Sequence, residues 1–218
     1  CYRASAPCRT LFASDLDLLL AAGAVVRGVD WDAVARILGA GGLPTSETAL
    51  LGVTTLLPGM SVRMGSAGEQ SATRWSPWDH VAADALSDED RVIRLRRIVQ
   101  HCVASWASLC RRPLVSLSGG LDSSIIASCL ASARAGAAAS FDVQCVTMFT
   151  QDAAGDERRY ARELCAALDQ PLAECAFDLA SVDIARPLAL HLPRPIGRAP
   201  NQAYERAHLA VARREGVD

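Results

Sequence analysis

The run Leu117-Ser118-Gly119-Gly120-Leu121-Asp122-Ser123-Ser124 collects the residue types that hold pyrophosphate. Strand-like residues Pro113, Leu114, Val115 and Ser116 precede it, and helix-like Ile125, Ile126, Ala127, Ser128, Cys129 and Leu130 follow it. The physics is that of a strand turning tightly into a helix. Gly119 and Gly120 allow backbone conformations that a Cβ forbids and let the chain approach a ligand closely. Successive amides, the hydroxyls of Ser118, Ser123 and Ser124, and the positive helix end then converge on one anion. Asp122 would repel phosphates unless a cation sits between them, which implies Mg²⁺ held by the carboxylate together with phosphate oxygens. The Gly-Lys-Ser/Thr ending of a Walker loop is absent.

A loop of this kind works only if regular elements hold it in place. Ser87 with Asp90 makes a capping start, and Val92, Ile93, Leu95, Ile98, Val99, Cys102, Val103 and Trp106 continue one apolar face down a long helix. After the loop come a strand over 141–149, a helix over 156–168 and a strand over 172–177. Strand alternating with helix at this spacing predicts a parallel α/β sheet with flanking helices. Ligands of such sheets bind beyond the carboxyl ends of the strands. Ser118, Ser123, Ser124 and the strand-end residue Thr147 are therefore expected to face one crevice. Residues 206–218 read as a helix followed by the start of a strand.

Upstream, residues 11–22 read as a strand and then a helix, and Asp30 as the N-cap of a second helix that ends at Gly41, Gly42 and Pro44. Residues 49–56 and 60–64 flank the turn Leu57-Pro58-Gly59, which predicts a β-hairpin. A closing strand is expected over 73–78, and Trp75 and Trp78 are read as core or interdomain packing rather than a ligand platform.

Composition narrows the class further. The 218 residues are 50% hydrophobic and 21% charged with a net charge of −2, which gives no sign of a nucleic-acid or membrane surface. The apolar stretches are Ala-rich and broken by charges, and no signal peptide opens the sequence, so a cytoplasmic protein is expected. Eight cysteines show no CxxC pair, and most sit in apolar runs as free, buried thiols. His80, His101, His191 and His208 have no metal-ligand spacing.

The SGGLDSS run resembles the PP-loop of the ATP pyrophosphatases, which split ATP into AMP and pyrophosphate, and within them the synthetase domain of the asparagine synthetase family. The resemblance implies an adenine nucleotide α-hydrolase-like domain. It implies ATP bound by Leu117, Ser118, Gly119, Gly120, Asp122, Ser123, Ser124 and Thr147, with Asp122 as catalytic and metal-binding residue. Adenine would lie against strand backbone and phosphates against the loop. A second likeness is the helix start Gly155-Asp156-Glu157-Arg158-Arg159-Tyr160-Ala161. For Asp156 and Glu157, helix capping and a nucleotide-side role stay open. Residues 9–19 are similar to the last strand and helix of the family's Ntn-type glutaminase domain. The expected organisation is thus a glutaminase remnant over 1–24, a connector over 25–84 and the first part of an ATP-binding domain over 85–218, in a fragment lacking the family's start and end. On this reading Cys1 is not the glutaminase nucleophile.

The chain departs from the family where asparagine synthetases carry a His-rich segment: residues 168–174 contain no His. The Gly155 to Arg158 start and the 194–202 run look more like the lasso-peptide cyclase branch, which adenylates an Asp or Glu side chain of a precursor peptide. A precursor-peptide carboxylate or a small-molecule one is the implied substrate, with a precursor-processing protein as partner. True asparagine synthesis, tRNA sulfurtransfer and a non-catalytic fragment remain as competing readings.

Overall fold

The computed structural model describes residues 1–6, 9–23, 28–41, 43–66, 68–81, 86–136, 141–152, 155–186, 192–195 and 200–217. The chain folds as two units, Cys1–Asp84 with Arg186–Ala199, and Ala85–Ala185 with Pro200–Asp218.

The first unit contains β1 (Tyr2–Ala6), β2 (Arg9–Ala13), α1 (Leu16–Ala21), α2 (Trp31–Gly39), β3 (Val53–Thr55), β4 (Met60–Gly65) and β5 (Gly68–Thr73). Both helices begin where an aspartate can bond a free first-turn amide. Asp15 accepts from the Asp17 N–H at 2.9 Å, and Asp30 from the Ala33 N–H at 2.8 Å. Strands β2, β1 and β3 form an antiparallel sheet in that order, with Ala4, Leu16, Leu19 and Val53 as its core. Two hydrogen bonds bring the later segment into this unit: the Ala49 N–H donates to the Pro193 carbonyl at 2.7 Å, and the Arg194 side-chain Nη2 to the Thr45 carbonyl at 2.8 Å.

The hairpin expected across Leu57-Pro58-Gly59 does not form. β3 pairs with β1, and β4 pairs one strand later with β5, placing Met60 opposite Thr73. The reason lies at Gly59, whose carbonyl accepts from both Arg74 and Trp75 and so closes β4 onto the strand after it. The closing strand expected over 73–78 also ends early. Ser76 and Asp79 exchange bonds as a capping box that starts a 3₁₀ turn at Pro77–His80. Trp75 and Trp78 are exposed and so take no part in the core, the first of the two packing roles expected of them.

The second unit carries α3 (Asp88–Ala107), β6 (Leu114–Leu117), α4 (Leu121–Ala135), β7 (Gln144–Phe149), α5 (Arg158–Leu168), β8 (Leu172–Ala176) and α6 (Asn201–Glu215). The three strands are parallel in the order β6-β7-β8, with helices packed on them, as the alternation predicted. Side chains alternate across the sheet. Val115, Leu117 and Cys145 turn to one layer with Ala107 of α3, Ala127 and Leu130 of α4, and Ala161 and Cys165 of α5. Val146, Ala173, Leu114 and Cys175 turn to the other, against Val211 of α6. A central strand buried on both faces reads as a continuous apolar run rather than an alternating one. That is why residues 143–147 show no period in sequence.

Ser87 caps α3 as expected, its hydroxyl accepting from the Asp90 N–H at 3.1 Å. The apolar face of α3 is another matter. Val103 and Ala107 pack on the core, while Val92, Leu95, Ile98 and Trp106 are exposed. At the chain's end, α6 begins at Asn201 rather than near 206. It closes on left-handed Gly216 with the Val217 N–H bonded back to the Ala212 carbonyl, so no strand begins among the described residues there. Arg112 ties this end down through the Glu215 carbonyl and the Gln144 side chain. No helix among the described residues is long and apolar enough to cross a membrane. The seven described cysteines are free. Only Cys145 and Cys165 are buried, fewer than the apolar runs suggested, and Cys8 lies outside the described residues. Burial pushes the Cys145 thiol up to about 12.

Leu130 is 4% exposed and wedged into the α3–α4–sheet core, whereas Leu121 is 76% exposed. Leu130→Ala is expected to cost about 2–5 kcal/mol in urea unfolding. Leu121→Ala is expected to stay within about 0.5 kcal/mol on the same measurement.

Candidate functional site

β6 delivers its last buried side chain, Leu117, and the backbone then turns through Ser118, Gly119 and Gly120 into α4. Gly119 has φ +74, a left-handed conformation, and a Cβ there would stand 2.9 Å from the Glu157 Cβ. Both facts require glycine. Three hydroxyls stitch the turn. The Ser118 N–H donates to the Ser123 Oγ at 3.3 Å, and the Gly120 N–H to the Ser118 Oγ at 3.4 Å. The Ser123 and Ser124 hydroxyls donate to the Gly120 carbonyl at 3.2 and 2.7 Å.

The N-cap of α4 is Gly120, which offers no side-chain acceptor. The leading amides of this 15-residue helix are thereby left for a ligand. A helix N-terminus preceded by a glycine turn suits an anion. Asp122 sits exposed in the first turn and makes no hydrogen bond or ion pair among the described residues. No cluster of three or more His, Cys, Asp or Glu among the described residues could cage a metal by itself. A lone free carboxylate beside a phosphate site suits Mg²⁺, which binds through one or two carboxylates plus phosphate oxygens.

Beyond the strand ends lies a cleft of about 140 Å³, lined by Leu117 and Ser118 of the loop, Met148 and Phe149 at the end of β7 with Thr150 just after it, and Glu157, Phe177 and Tyr204. Small-molecule pockets span roughly 300–1,000 Å³, so this one has room for only part of a ligand of that size. The Phe177 and Tyr204 rings pack at 4.9 Å between centroids. A larger groove of about 550 Å³ opens between α3, α4 and β6, lined by residues such as Cys102, Trp106, Leu114 and Ile126. Its wall is mostly apolar, though Ser116 and Ser123 reach it from the strand end and the turn.

The structure gathers Leu117, Ser118, Gly119, Gly120, Asp122, Ser123 and Ser124 around one turn. Thr147 is placed otherwise. It stands opposite Leu117 in the register but is 1% exposed, because its position in the alternation turns it under the helices with Cys145. Phe149, two residues on, reaches the cleft instead. Sequence reasoning missed Phe149, Phe177 and Tyr204. Only the aromatic ending of the second strand could have signalled them.

Of the two residues read as capping or nucleotide-facing, Asp156 accepts from the Arg158 N–H at 3.1 Å and so caps α5, and Glu157 lines the cleft. Glu157 is the N-cap position of α5 and packs against Gly119. Asp156 grips Arg158 through both oxygens, the Nε lying 2.8 and 3.0 Å away and Nη2 2.5 Å. The segment over 168–174 is structural: Asp169 ends α5 with φ 51, and Glu174 pairs with Arg162 at 2.6 Å. In the later run, Gln202 is buried and bonded to the Asp183 backbone, and residues 196–199 lie outside the described residues.

Residues 94–217 match the asparagine synthase family, more than half of the chain. The chain belongs to that family. No curated protein matches it. The matched region contains the whole glycine turn, the sheet and the aromatic cleft, so the family assignment and the geometry fall on the same residues.

Hydrogen bonds from the Arg158 side chain, then its backbone, hold the Asp156 carboxyl down at about 2. A carboxyl depressed in the folded state adds stability that is complete above its unfolded value and is lost as pH falls through the folded one. Denaturant midpoints measured from pH 5 to pH 2 are expected to drop for the native chain between about 4 and 2. For Asp156→Asn that part of the decline is expected to vanish.

Proposed function

We propose that the chain is the nucleotide-handling part of an ATP-dependent, AMP-forming amide ligase that adenylates a side-chain carboxylate for attack by an amine. The observation that carries the reading is the uncapped N-terminus of α4 behind left-handed Gly119, within the stretch matching the asparagine synthase family. In this reading the Ser118, Ser123 and Ser124 hydroxyls and the leading α4 amides hold the β- and γ-phosphates, and the aromatic cleft takes the adenine. Asp122 would hold Mg²⁺, which neutralises phosphate charge when bound.

The carboxylate oxygen attacks the α-phosphorus and the bond to the pyrophosphate oxygen breaks, giving an acyl-adenylate. The amine then attacks the acyl carbon, loses its proton, and AMP leaves. The loop amides stabilise charge gathering on departing pyrophosphate, and the turn's fixed geometry keeps the α-phosphorus facing the incoming carboxylate. The residues need move no proton in the first step, since a carboxylate attacks as it stands.

For the carboxylate we propose a peptide-borne Asp or Glu, the product being a macrolactam of the lasso-peptide type, with a processing protein delivering the precursor in the cytoplasm. Two features support this: no His in 168–174, and a stretch there already committed to capping and ion pairing.

Calorimetric titration with ATP·Mg²⁺ is expected to give saturable heat for the native chain and at least about tenfold weaker binding for Asp122→Ala, the scale of losing a charge-assisted contact of about 1.5–3 kcal/mol. Equal binding by both would remove Asp122 from the site. Given ATP and a precursor peptide encoded beside its gene, the protein is expected to lower the peptide mass by one water. Asparagine formed from aspartate and ammonia, with the peptide mass unchanged, would replace this product with the asparagine synthetase one.

A further inference from the structure

The end of β7 carries an arrangement that the nucleotide reading does not use. The Arg158 guanidinium carbon lies 3.8 Å from the centroid of the Phe149 ring. Arg158 is itself held from two sides, bidentate by Asp156 and at 3.6 Å by Glu174 on β8. Glu174 is fixed in turn by Arg162, whose Nε and Nη2 reach its two oxygens at 2.6 Å each. Hydrogen bonds from Arg162 hold the Glu174 carboxyl below the usual range. Asp156, Arg158, Glu174 and Arg162 thus form a chain of charges from the start of α5 to β8, and Phe149 lies under one link of it.

Phe149 lines the cleft beside Ser118, while Arg158 does not. The cation over the ring therefore lies outside the cleft lining. Its own carbonyl pins the backbone there, accepting from the Phe177 N–H at 2.7 Å. The side chain has no such hydrogen bond to hold it: a phenyl ring at a strand end, half-buried, can turn about χ1 and χ2. A guanidinium held by two carboxylates is a rigid, weakly hydrated plane that stacks well on an aromatic face. As a set of partly hydrated ion pairs, the network contributes only modestly to stability. What it supplies is direction.

We propose that Arg158 is a positioning residue for the nucleobase: locked by Asp156 and Glu174, it fixes the Phe149 ring as the wall against which a planar heterocycle stacks. This rests on the reading of the cleft as the base site of an adenine nucleotide. The ring acts on the base and Arg158 acts only through the ring. A ligand with phosphates and no base therefore bypasses Arg158 entirely.

The test exploits that bypass. ATP·Mg²⁺ and tripolyphosphate·Mg²⁺ are titrated separately into the native chain, Arg158→Met, Arg158→Lys, Phe149→Leu and the Arg158→Met/Phe149→Leu pair. Arg158→Met keeps the apolar stem and removes the cation, so ATP binding is expected to weaken about fivefold, the scale of a partly desolvated cation–π contact. Tripolyphosphate binding is expected to hold within about twofold, the scatter of a distant surface change. Arg158→Lys, which keeps a charge over the ring, is expected to recover part of the loss. In the Phe149→Leu background Arg158→Met is expected to cost nothing further, because the path through the ring is already gone. Parallel loss of ATP and tripolyphosphate would make Arg158 a structural support of the loop and overturn the proposal. Unchanged ATP affinity in Arg158→Met would do the same while leaving the nucleotide reading intact. Native chain that binds tripolyphosphate and ATP equally well would show that no base contact exists in the cleft, again overturning the proposal. Native chain that binds neither would instead overturn the nucleotide reading, and this proposal with it.

Discussion

Gly119 has no space for a side chain, and most of the site follows from that exclusion. On one side its φ of +74 rejects L-residues; on the other the Glu157 Cβ and carbonyl close against it. The start of α5 therefore sits hard against the turn between β6 and α4. Two successive strand-to-helix crossings of a parallel sheet are locked together at their ligand-facing ends. Ser118, Ser123 and Ser124 then have a fixed frame in which to exchange hydrogen bonds with the Gly120 backbone. Since Gly120 brings no capping group, the helix dipole points at solvent rather than at a side chain.

The sheet below the turn is built for the same end. β7 is covered on both faces, Cys145 and Thr147 toward α4 and α5, Val146 toward α6. Double coverage makes the strand a stiff rod whose far end, Phe149 and Thr150, emerges at a set height beside the loop. The ion pairs from Asp156 to Arg162 lie at that height, where the strand's own packing stops.

How much of this was legible in the sequence depended on whether a residue's role was local. The glycine turn was, because positive φ, hydroxyl caps and an uncapped helix start are all decided within eight neighbouring residues. So were the caps at Asp30 and Ser87, each a short polar side chain just ahead of a helix. Pairing choices were not. Leu57-Pro58-Gly59 has the composition of a hairpin turn, yet β3 finds β1, about fifty positions back, and β4 finds β5, the strand that follows it. Thr147 shows the same limit on the scale of one residue. Its place at a strand end was readable, but a period of two decides which face it takes, and a strand buried on both faces hides that period. The aromatic cleft was illegible for a related reason, since Phe149, Phe177 and Tyr204 come from three elements that only the folded sheet brings together.

The first unit is interrupted in sequence, with Pro193 and Arg194 supplying partners to Ala49 and Thr45 after the chain has run through most of the second unit. During synthesis this imposes an order. When residue 84 leaves the ribosome, the Ala49 amide and the Thr45 carbonyl have nothing of their own chain to bond, and they wait until more than a hundred further residues have emerged. At the usual elongation rate of about 5–20 residues per second, that delay lasts several seconds. The β6-β7-β8 sheet, complete by residue 176, can therefore take shape before the amino-terminal unit is finished. Vectorial folding here runs against the order of the sequence.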